Sequence, residues 1–268
     1  MPATTVDPVL IVEDFSVSYG GVHAVKHVTM SAAAGEVVGV IGPNGAGKSS
    51  LLDGISGFAP VSGGSVMLAS ESIRALRPHK RTRRGLARTW QHVDLFDELT
   101  VQENIRLAVL PGAGQGRSVS RAAGDERTVE IMQRLGIPQL AERLPSELSH
   151  GQRVLAGIGR ALAAAPLVLL MDEPAAGLDA QERHRLAQIV RALAEDGTAI
   201  VVIDHDMPLV LGICDRICVL NFGEKIAEGT PDDIREDPAV IAAYLGTEEG
   251  EVDEGLAGIG VHKEETES

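Results

Sequence analysis

Aromatic residues make up only 3% of this 268-residue chain, which has one tryptophan, two tyrosines and four phenylalanines. Each ring therefore asks for its own explanation. Cysteine is almost absent too. Cys214 and Cys218 stand four residues apart with no C-x-x-C and no adjacent histidine, a pattern that excludes a disulfide framework or a thiolate metal site. They read as reduced core thiols of a cytosolic protein. No run of about 18 apolar residues occurs, so nothing here should span a bilayer unaided. The opening MPATTVDPVL has no basic segment followed by an apolar one and does not read as a signal peptide. A basic excess is also missing. The net charge of −14 argues against a partner bound through nucleic-acid phosphates.

The acidity is uneven. Residues 247–268 hold eight acids and one base, a balance of −7, so the first 246 residues carry only the other −7. That tail is rich in Gly and Glu and reads as disordered and solvating. The remainder, in a chain 44% apolar and 23% charged, has the composition of a globular protein with a sizeable core.

Short apolar runs alternate with helical patterns. LIVEDFSVSY (10–19) reads as a strand ending at a Gly20-Gly21 hairpin turn. EVVGVIG (36–42), PLVLLMDE (166–173) and TAIVVID (198–204) read as buried strands. Leu186, Ile189, Val190, Leu193 and Ala194 share one face of a helix over 180–197, which Gly197 ends. Thr230-Pro231 and Asp237-Pro238 read as helix starts. From about 80 to 165 the pattern is helical, basic at its start (HKRTRRGLAR), with 92–165 inserted into the alternation. Such alternation predicts an α/β fold with a largely parallel sheet.

Residues 42–49, GPNGAGKS, match G-x-x-x-x-G-K-[ST] between a predicted strand and a predicted helix. Gly42, Gly45 and Gly47 let backbone amides point at phosphate oxygens. Lys48 would reach the β- and γ-phosphates, and Ser49 offers a hydroxyl to Mg²⁺. The spacing differs from the dinucleotide fingerprint G-x-G-x-x-G. At the end of the LVLLMDE strand, Asp172 is placed to hold Mg²⁺ through water and Glu173 to act as base for an attacking water. His205 follows a third strand, where a γ-phosphate would lie. Asp206 is placed to cap the helix that begins MPLV.

LSHGQ (148–152) stands at the mouth of a long apolar helical run. The simplest reading makes Ser149 a helix cap. A second reading makes the segment another anion-binding device, built from the Ser149 hydroxyl, Gly151 and a helix N-terminus.

GPNGAGKS, Gln91, LSHGQ, LLMDEP, AGLD (176–179) and His205 occur in the order found in ATP-binding subunits of ABC transporters, and residues 9–246 resemble that family. RTWQHVDLFDELTVQENI (88–105), MDEPAAGL (171–178) and VLNFGEKIAEGTPDDI (219–234) resemble ATPase subunits of branched-chain amino acid importers, with relatives in amide and urea import. The resemblance implies a P-loop NTPase core with a mainly parallel sheet, an antiparallel β N-terminal subdomain and an inserted α-helical subdomain. The ATPase domain would occupy 1–246, with the core at about 8–90 and 166–246, the helical part at about 92–165, and 247–268 as the tail.

The resemblance also implies site roles. ATP and Mg²⁺ would be bound by Gly42, Pro43, Asn44, Gly45, Ala46, Gly47, Lys48, Ser49 and Ser50. Tyr19 would stack on adenine, worth about 1–3 kcal/mol and base-tolerant. Gln91 would contact Mg²⁺ and the attacking water, and the segment that follows it, about 92–105, would face a membrane permease. Trp90 and Phe96 would pack around that surface, unless they are plain core. Ser149, Gly151 and Gln152 would clamp the γ-phosphate held by a second subunit, and Asp179 lies in the loop that crosses between subunits. Two ATP molecules would be sandwiched head to tail, and pairing with a second, different ATPase subunit is favoured over self-pairing. A periplasmic or lipid-anchored solute-binding protein would act through the permease, and the chain would sit on the inner face of the cell membrane.

Two departures stand out. His150 replaces the commoner Gly or Tyr of the signature. Val154, Leu155, Ala156 and Gly157 stand where relatives usually carry Gln and Arg, and Gly157 and Gly159 each cost a helix about 1 kcal/mol against Ala. A soluble ABC-type ATPase is the rival class; such proteins typically carry two cassettes or coiled-coil insertions, which this chain lacks. A switch without hydrolysis would need the loss of Glu173 or His205, and both are present.

Overall fold

A computed structural model describes residues 7–91, 94–109 and 119–245. The acidic tail lies outside the described residues.

The chain opens with an antiparallel hairpin. Strands β1 (Pro8–Tyr19) and β2 (Val22–Ala33) pair through Tyr19 and Val22 across the two-residue turn at Gly20-Gly21. They join β4 (Val61–Leu68) and β5 (Glu71–Ser72) in a four-stranded sheet of order β2-β1-β4-β5. The second sheet is six-stranded. Its order is β10-β9-β3-β8-β7-β6, with β3 (Val37–Ile41), β6 (Leu86–Arg88), β7 (Val168–Asp172), β8 (Ala199–Ile203), β9 (Arg216–Asn221) and β10 (Glu224–Gly229). All its pairings are parallel except β9 with β10.

The central strands are buried throughout, because both sheet faces are covered. Val38, Val40, Leu170, Val201 and Ile203 pack with β1, β4 and the helix α1 (Lys48–Ser56). Ile41, Leu169, Met171, Ile200 and Val202 point the other way, into a larger core. That core is closed by helices α3 (Val101–Leu107), α4 (Arg121–Arg134), α5 (His150–Ala163), α6 (Ala180–Glu195) and α7 (Met207–Ile213). Period-two strands with two apolar faces thus read as continuous runs, as the sequence shows at LVLLM.

Local chemistry sets the helix ends. Thr100 with Glu103, Ser149 with Gln152, Asp179 with Glu182, and Thr230 with Asp233 form reciprocal capping boxes on α3, α5, α6 and α8 (Pro231–Glu236). Asp206 caps α7 through Leu209 N at 2.8 Å. The final helix, α9 (Pro238–Leu245), starts where Asp237-Pro238 predicts. Both cysteines are free and buried, and desolvation pushes the Cys218 thiol up to about 12.

The stretch 80–165 is not uniformly helical. Strand β6 lies within its basic beginning and pairs with β7, because Leu86 and Ala87 are buried at the sheet edge. Just before it, α2 (Pro78–Arg83) contributes a buried arginine. Arg81 donates to Leu76, Gly54, Ile55 and Arg74 carbonyls, closing the C-terminal end of α1.

Gly159 has a packing explanation. A Cβ there would lie 2.8 Å from Ile105 Cδ1 and 3.2 Å from Leu135 Cδ1, so the missing side chain lets α5 approach α3 and the end of α4 closely. The lost helix propensity is exchanged for that contact. Gly159→Val should therefore destabilise the protein by about 1–3 kcal/mol through overpacking. Urea unfolding would measure it, and a midpoint at or above wild type would remove Gly159 from this role.

Candidate functional site

The P-loop (42–49) connects β3 to α1 at the C-terminal edge of the parallel sheet, where open α/β sheets take ligands. Gly42 has φ 146°, and a Cβ on it would lie 2.0 Å from Leu220 O. Gly47 has φ 101°, and its Cβ would lie 2.3 Å from Ala24 O. Only glycine fits at either place. The loop is closed by Ala46 N on Pro43 O at 3.1 Å and by Gly223 N on Ala46 O at 2.9 Å. Lys48 folds back over it, and Nζ donates to Gly42 O at 2.6 Å and Pro43 O at 3.0 Å. Burial holds the Lys48 ammonium below its usual range, and Glu173 and Asp172 partly offset that by favouring its charge. Ser49 and Ser50 follow in the first turn of α1, while Pro43, Asn44 and Gly45 form the loop's outer turn.

Strand β7 delivers Asp172 at its last position and Glu173 just beyond. Asp172 is buried, and its Oδ2 accepts from Arg88 Nη2 at 2.7 Å. Glu173 takes a left-handed backbone, φ 46°, with its amide donating to Ile203 O at 2.8 Å. A non-glycine residue there stores about 1–3 kcal/mol of strain. From that turn its side chain reaches Gln91, whose Nε2 donates to Glu173 Oε2 at 2.6 Å. His205, 60% exposed after β8, has Nδ1 3.8 Å from the same Oε2. Behind it, buried Asp204 accepts from Ala175 N at 2.9 Å and Asp206 N at 3.0 Å, fastening the loop after Glu173 to the end of β8. Desolvation raises the Asp204 carboxyl above its usual range, and the two amides partly offset the rise. Gln91, Asp172, Glu173, Lys48 and His205 are thus gathered by the ends of four neighbouring strands, β6, β7, β8 and β3.

LSHGQ lies apart from this group, against α6. Ser149 caps α5 by accepting from Gln152 N at 3.2 Å, and Gln152 Oε1 returns the bond to Ser149 N at 3.0 Å. The simple cap reading therefore describes part of what Ser149 does. Its Oγ also lies 3.4 Å from Glu182 Oε1, the carboxylate that caps back onto Asp179 N. A Cβ at Gly151 would come within 2.4 Å of that oxygen. Asp179 Oδ1 accepts from Glu182 N at 2.8 Å, so Asp179 is the cap of α6. His150 Nε2 lies 2.9 Å from Ala176 O, tying the signature to the loop after Glu173. Tyr19 is half-exposed at the hairpin end.

Trp90 and Phe96 are not core. Both are exposed, each with an arginine over its ring: Arg88 at 4.1 Å from the Trp90 centroid and Arg160 at 5.2 Å from that of Phe96. Phe58 meets Trp90 edge-on at 4.8 Å. Residues 92 and 93, the start of the segment expected to face a permease, lie outside the described residues. Buried Asn104 accepts from Phe96 N and donates to Phe96, Leu99 and Thr100 carbonyls, fixing the rest of the approach to α3.

Four residues that matter here carry no motif. They are Arg88, its second partner Asp53, Glu182, and Tyr244 of α9. Tyr244 hydrogen-bonds the Gly42 backbone, and its phenol is pushed up to about 12 by burial. Only the capping spacing Asp179-x-x-Glu182 could have signalled one of them.

A P-loop on a parallel sheet, with an acid pair at the end of a nearby parallel strand and a serine-capped signature helix, defines a P-loop NTPase of the ABC class. Residues 25–176 match the ABC transporter family, and 224–250 match the branched-chain amino acid ATP-binding cassette transporter family. The high-affinity branched-chain amino acid transport ATP-binding protein LivG of Escherichia coli is 38% identical over 250 residues, covering 89% of this chain and 98% of LivG. The lipopolysaccharide export system ATP-binding protein LptB of the same organism is 33% identical, covering 88% and 97%. Among solved structures, the ADP conformation of MJ1267, an ATP-binding cassette of an ABC transporter, superposes with TM-score 0.81 at 30% identity, covering 90% of this chain and 99% of that one. The chain belongs to the ATP-binding subunits of ABC transporters and is an ATPase of that family. Among the described residues no helix is long and apolar enough to cross a membrane.

The strained turn at Glu173 makes a prediction. Glu173→Gly relieves a left-handed residue, whereas Glu173→Ala keeps it without a functional group. The Gly variant should be more stable than the Ala variant by about 1 kcal/mol in denaturant unfolding, and equal or reversed stabilities would show that the turn is unstrained.

Proposed function

We propose that this chain is the ATP-hydrolysing subunit of an importer for branched-chain amino acids. The observation that carries the substrate class is the match of residues 224–250, which span β10, α8 and α9, to the branched-chain amino acid cassette family. Similarity to LivG, and to BraF of Pseudomonas aeruginosa at 36% identity, supports the same reading. Permease subunits would hold the chain at the inner face of the membrane, with a solute-binding protein supplying the amino acid. The ATPase core is taken as about 8–90 and 166–246 and the helical subdomain as about 92–165.

The residues present fit Mg²⁺-ATP. Lys48 already curls over a loop in which Gly42 and Gly47 leave no room for a Cβ. Ser49 and Asp172 offer hard oxygen donors, and among the described residues no cluster of three or more His, Cys, Asp or Glu side chains could hold a metal alone. A cation with few protein ligands, completed by phosphate and water, suits Mg²⁺. When bound, it would draw charge from the phosphate oxygens.

In this reading Lys48 exchanges its two P-loop carbonyls for phosphate oxygens. Glu173 removes the proton of the attacking water, and Gln91 orients the Glu173 carboxylate. His205, on the same side, hydrogen-bonds the γ-phosphate. Tyr19 stacks on the base from the hairpin end. Ser149, Gly151 and Gln152, with Asp179 beside them, are reserved for the nucleotide of a second subunit. We favour a different ATPase chain over a second copy as that partner. ATP would favour the closed pair and hydrolysis the open one, which moves the permease.

Co-purification with the permease and solute-binding protein, followed by ATPase assay, tests the substrate. Leucine, isoleucine or valine should stimulate turnover. Stimulation by urea or a short amide alone would move the chain to that class of importer. Glu173→Gln should keep ATP binding while hydrolysis falls about 10²–10⁴-fold. In that background MgATP should trap a dimer on size exclusion, with the partner subunit added where required. Ser149→Arg should abolish the dimer and leave monomer ATP binding intact. A double mutant that still dimerises would reduce LSHGQ to a helix cap.

A further inference from the structure

Arg88 is the least expected side chain of the site. It sits at the end of the edge strand β6, in register with Leu170 of β7, and only 6% of its side chain is exposed. Its guanidinium joins two elements and meets one ring. Nη2 donates to Asp172 Oδ2 at 2.7 Å. Nη1 donates to Asp53 Oδ1 at 2.6 Å and to Ser56 Oγ at 3.0 Å, both on α1. Its outer face lies 4.1 Å from the Trp90 ring centroid, one residue before Gln91. Nε is buried without a partner, so the group is placed for its three Nη contacts and not for full hydrogen bonding.

The two elements joined by this fork matter to the metal. Asp172 ends β7, and Ser49 lies in the first turn of α1, four residues before Asp53. One planar cation therefore sets the spacing between the helix bearing the candidate metal hydroxyl and the strand bearing the candidate metal carboxylate. A lysine could not bridge both in fixed geometry. The charges are also matched. One guanidinium between two carboxylates leaves −1, so the charge of Asp172 toward an incoming cation is not cancelled.

We propose that Arg88 is a positioning residue for the metal. It holds one oxygen of Asp172 and orients the other toward the P-loop, with Asp53 neutralising the charge this would otherwise cost. The proposal rests on the reading of Asp172 as the Mg²⁺ carboxylate.

Two physical effects oppose one another here, which gives the test its sign. If only charge acted, removing a cation beside Asp172 would strengthen Mg²⁺ binding. If orientation dominates, its removal weakens it. The measurement is ATP affinity in excess EDTA and in saturating Mg²⁺, by equilibrium dialysis in the Glu173→Gln background, with the spectrum of bound Mn²⁺ as a second readout. In Arg88→Met the metal-free affinity should stay within about twofold of the parent, while the enhancement by Mg²⁺ falls about tenfold, the usual cost of losing a group that orients a metal ligand. Arg88→Lys, which keeps the charge and loses the fork, should recover only part of the enhancement. Asp53→Ala tests the same bracket from the helix side without touching the buried cation, and should also weaken the Mg²⁺ effect. Removing an anion weakens Mg²⁺ binding by charge as well, so Arg88→Lys decides the matter if Arg88→Met does not fold: charge alone predicts the full enhancement and positioning only part of it. Asp172→Asn separates the two levels. If it keeps the full Mg²⁺ enhancement, the reading of Asp172 fails and the proposal with it. If it loses the enhancement while Arg88→Met and Arg88→Lys keep or strengthen it, the positioning role alone is overturned.

Discussion

The left-handed turn at Glu173 is the constraint on which the site depends. Two consecutive carboxylates leave the end of β7, and in extended backbone they would project to opposite faces of the sheet. With φ at 46°, Glu173 instead swings into the cleft beside Gln91 and His205, while Asp172 stays buried against Arg88. The amide of Glu173 on Ile203 O and the buried Asp204 carboxylate on Ala175 N hold the loop in that shape. Adjacent strands β7 and β8 thus cross-brace each other, and strain in one residue is carried by hydrogen bonds from its neighbour.

A second dependence runs through α5. Its N-terminus carries LSHGQ, and its middle packs against α3 and α4 through the absent side chain of Gly159. Glu182 and Ala176 receive the contacts of Ser149 and His150, so the signature is tied to the loop after Glu173 and to the start of α6. A shift of α3 or α4 against α5 would be felt at both places. Two arginines cover the exposed rings on either side of Gln91, Arg88 over Trp90 and Arg160 over Phe96. For His150, which replaces a smaller or aromatic residue of related signatures, the contact with Ala176 O gives a local reason for a ring with a polar nitrogen.

The C-terminal part of the described chain contacts the P-loop. Tyr244, in the last described turn, reaches the Gly42 backbone, and Gly223 N closes the P-loop at Ala46 O. Within the 224–250 match, Tyr244 therefore touches the P-loop, and Gly223 does so just before it.

The sequence by itself determined what depends on neighbours along the chain. Buried strands announce themselves at VVGVI, VLLMD and AIVVI, because a strand covered on both faces is apolar at every position. The P-loop is legible because its glycines answer to backbone angles, and the caps at Ser149, Asp206 and Thr230 because a cap bonds three residues ahead. Strand β6 was not legible. It has three residues, sits in a basic segment, and becomes a strand only because β7 offers an edge. The same holds for Arg88, Asp53 and Tyr244, which reach partners 84, 35 and about 200 positions away or nearer in space than any pattern records. Trp90 could equally have been core or surface until Phe58 and Arg88 were seen beside it. Periodicity and spacing report contacts within a few residues; which distant charges meet in a buried place is decided only when the sheet brings its strand ends together.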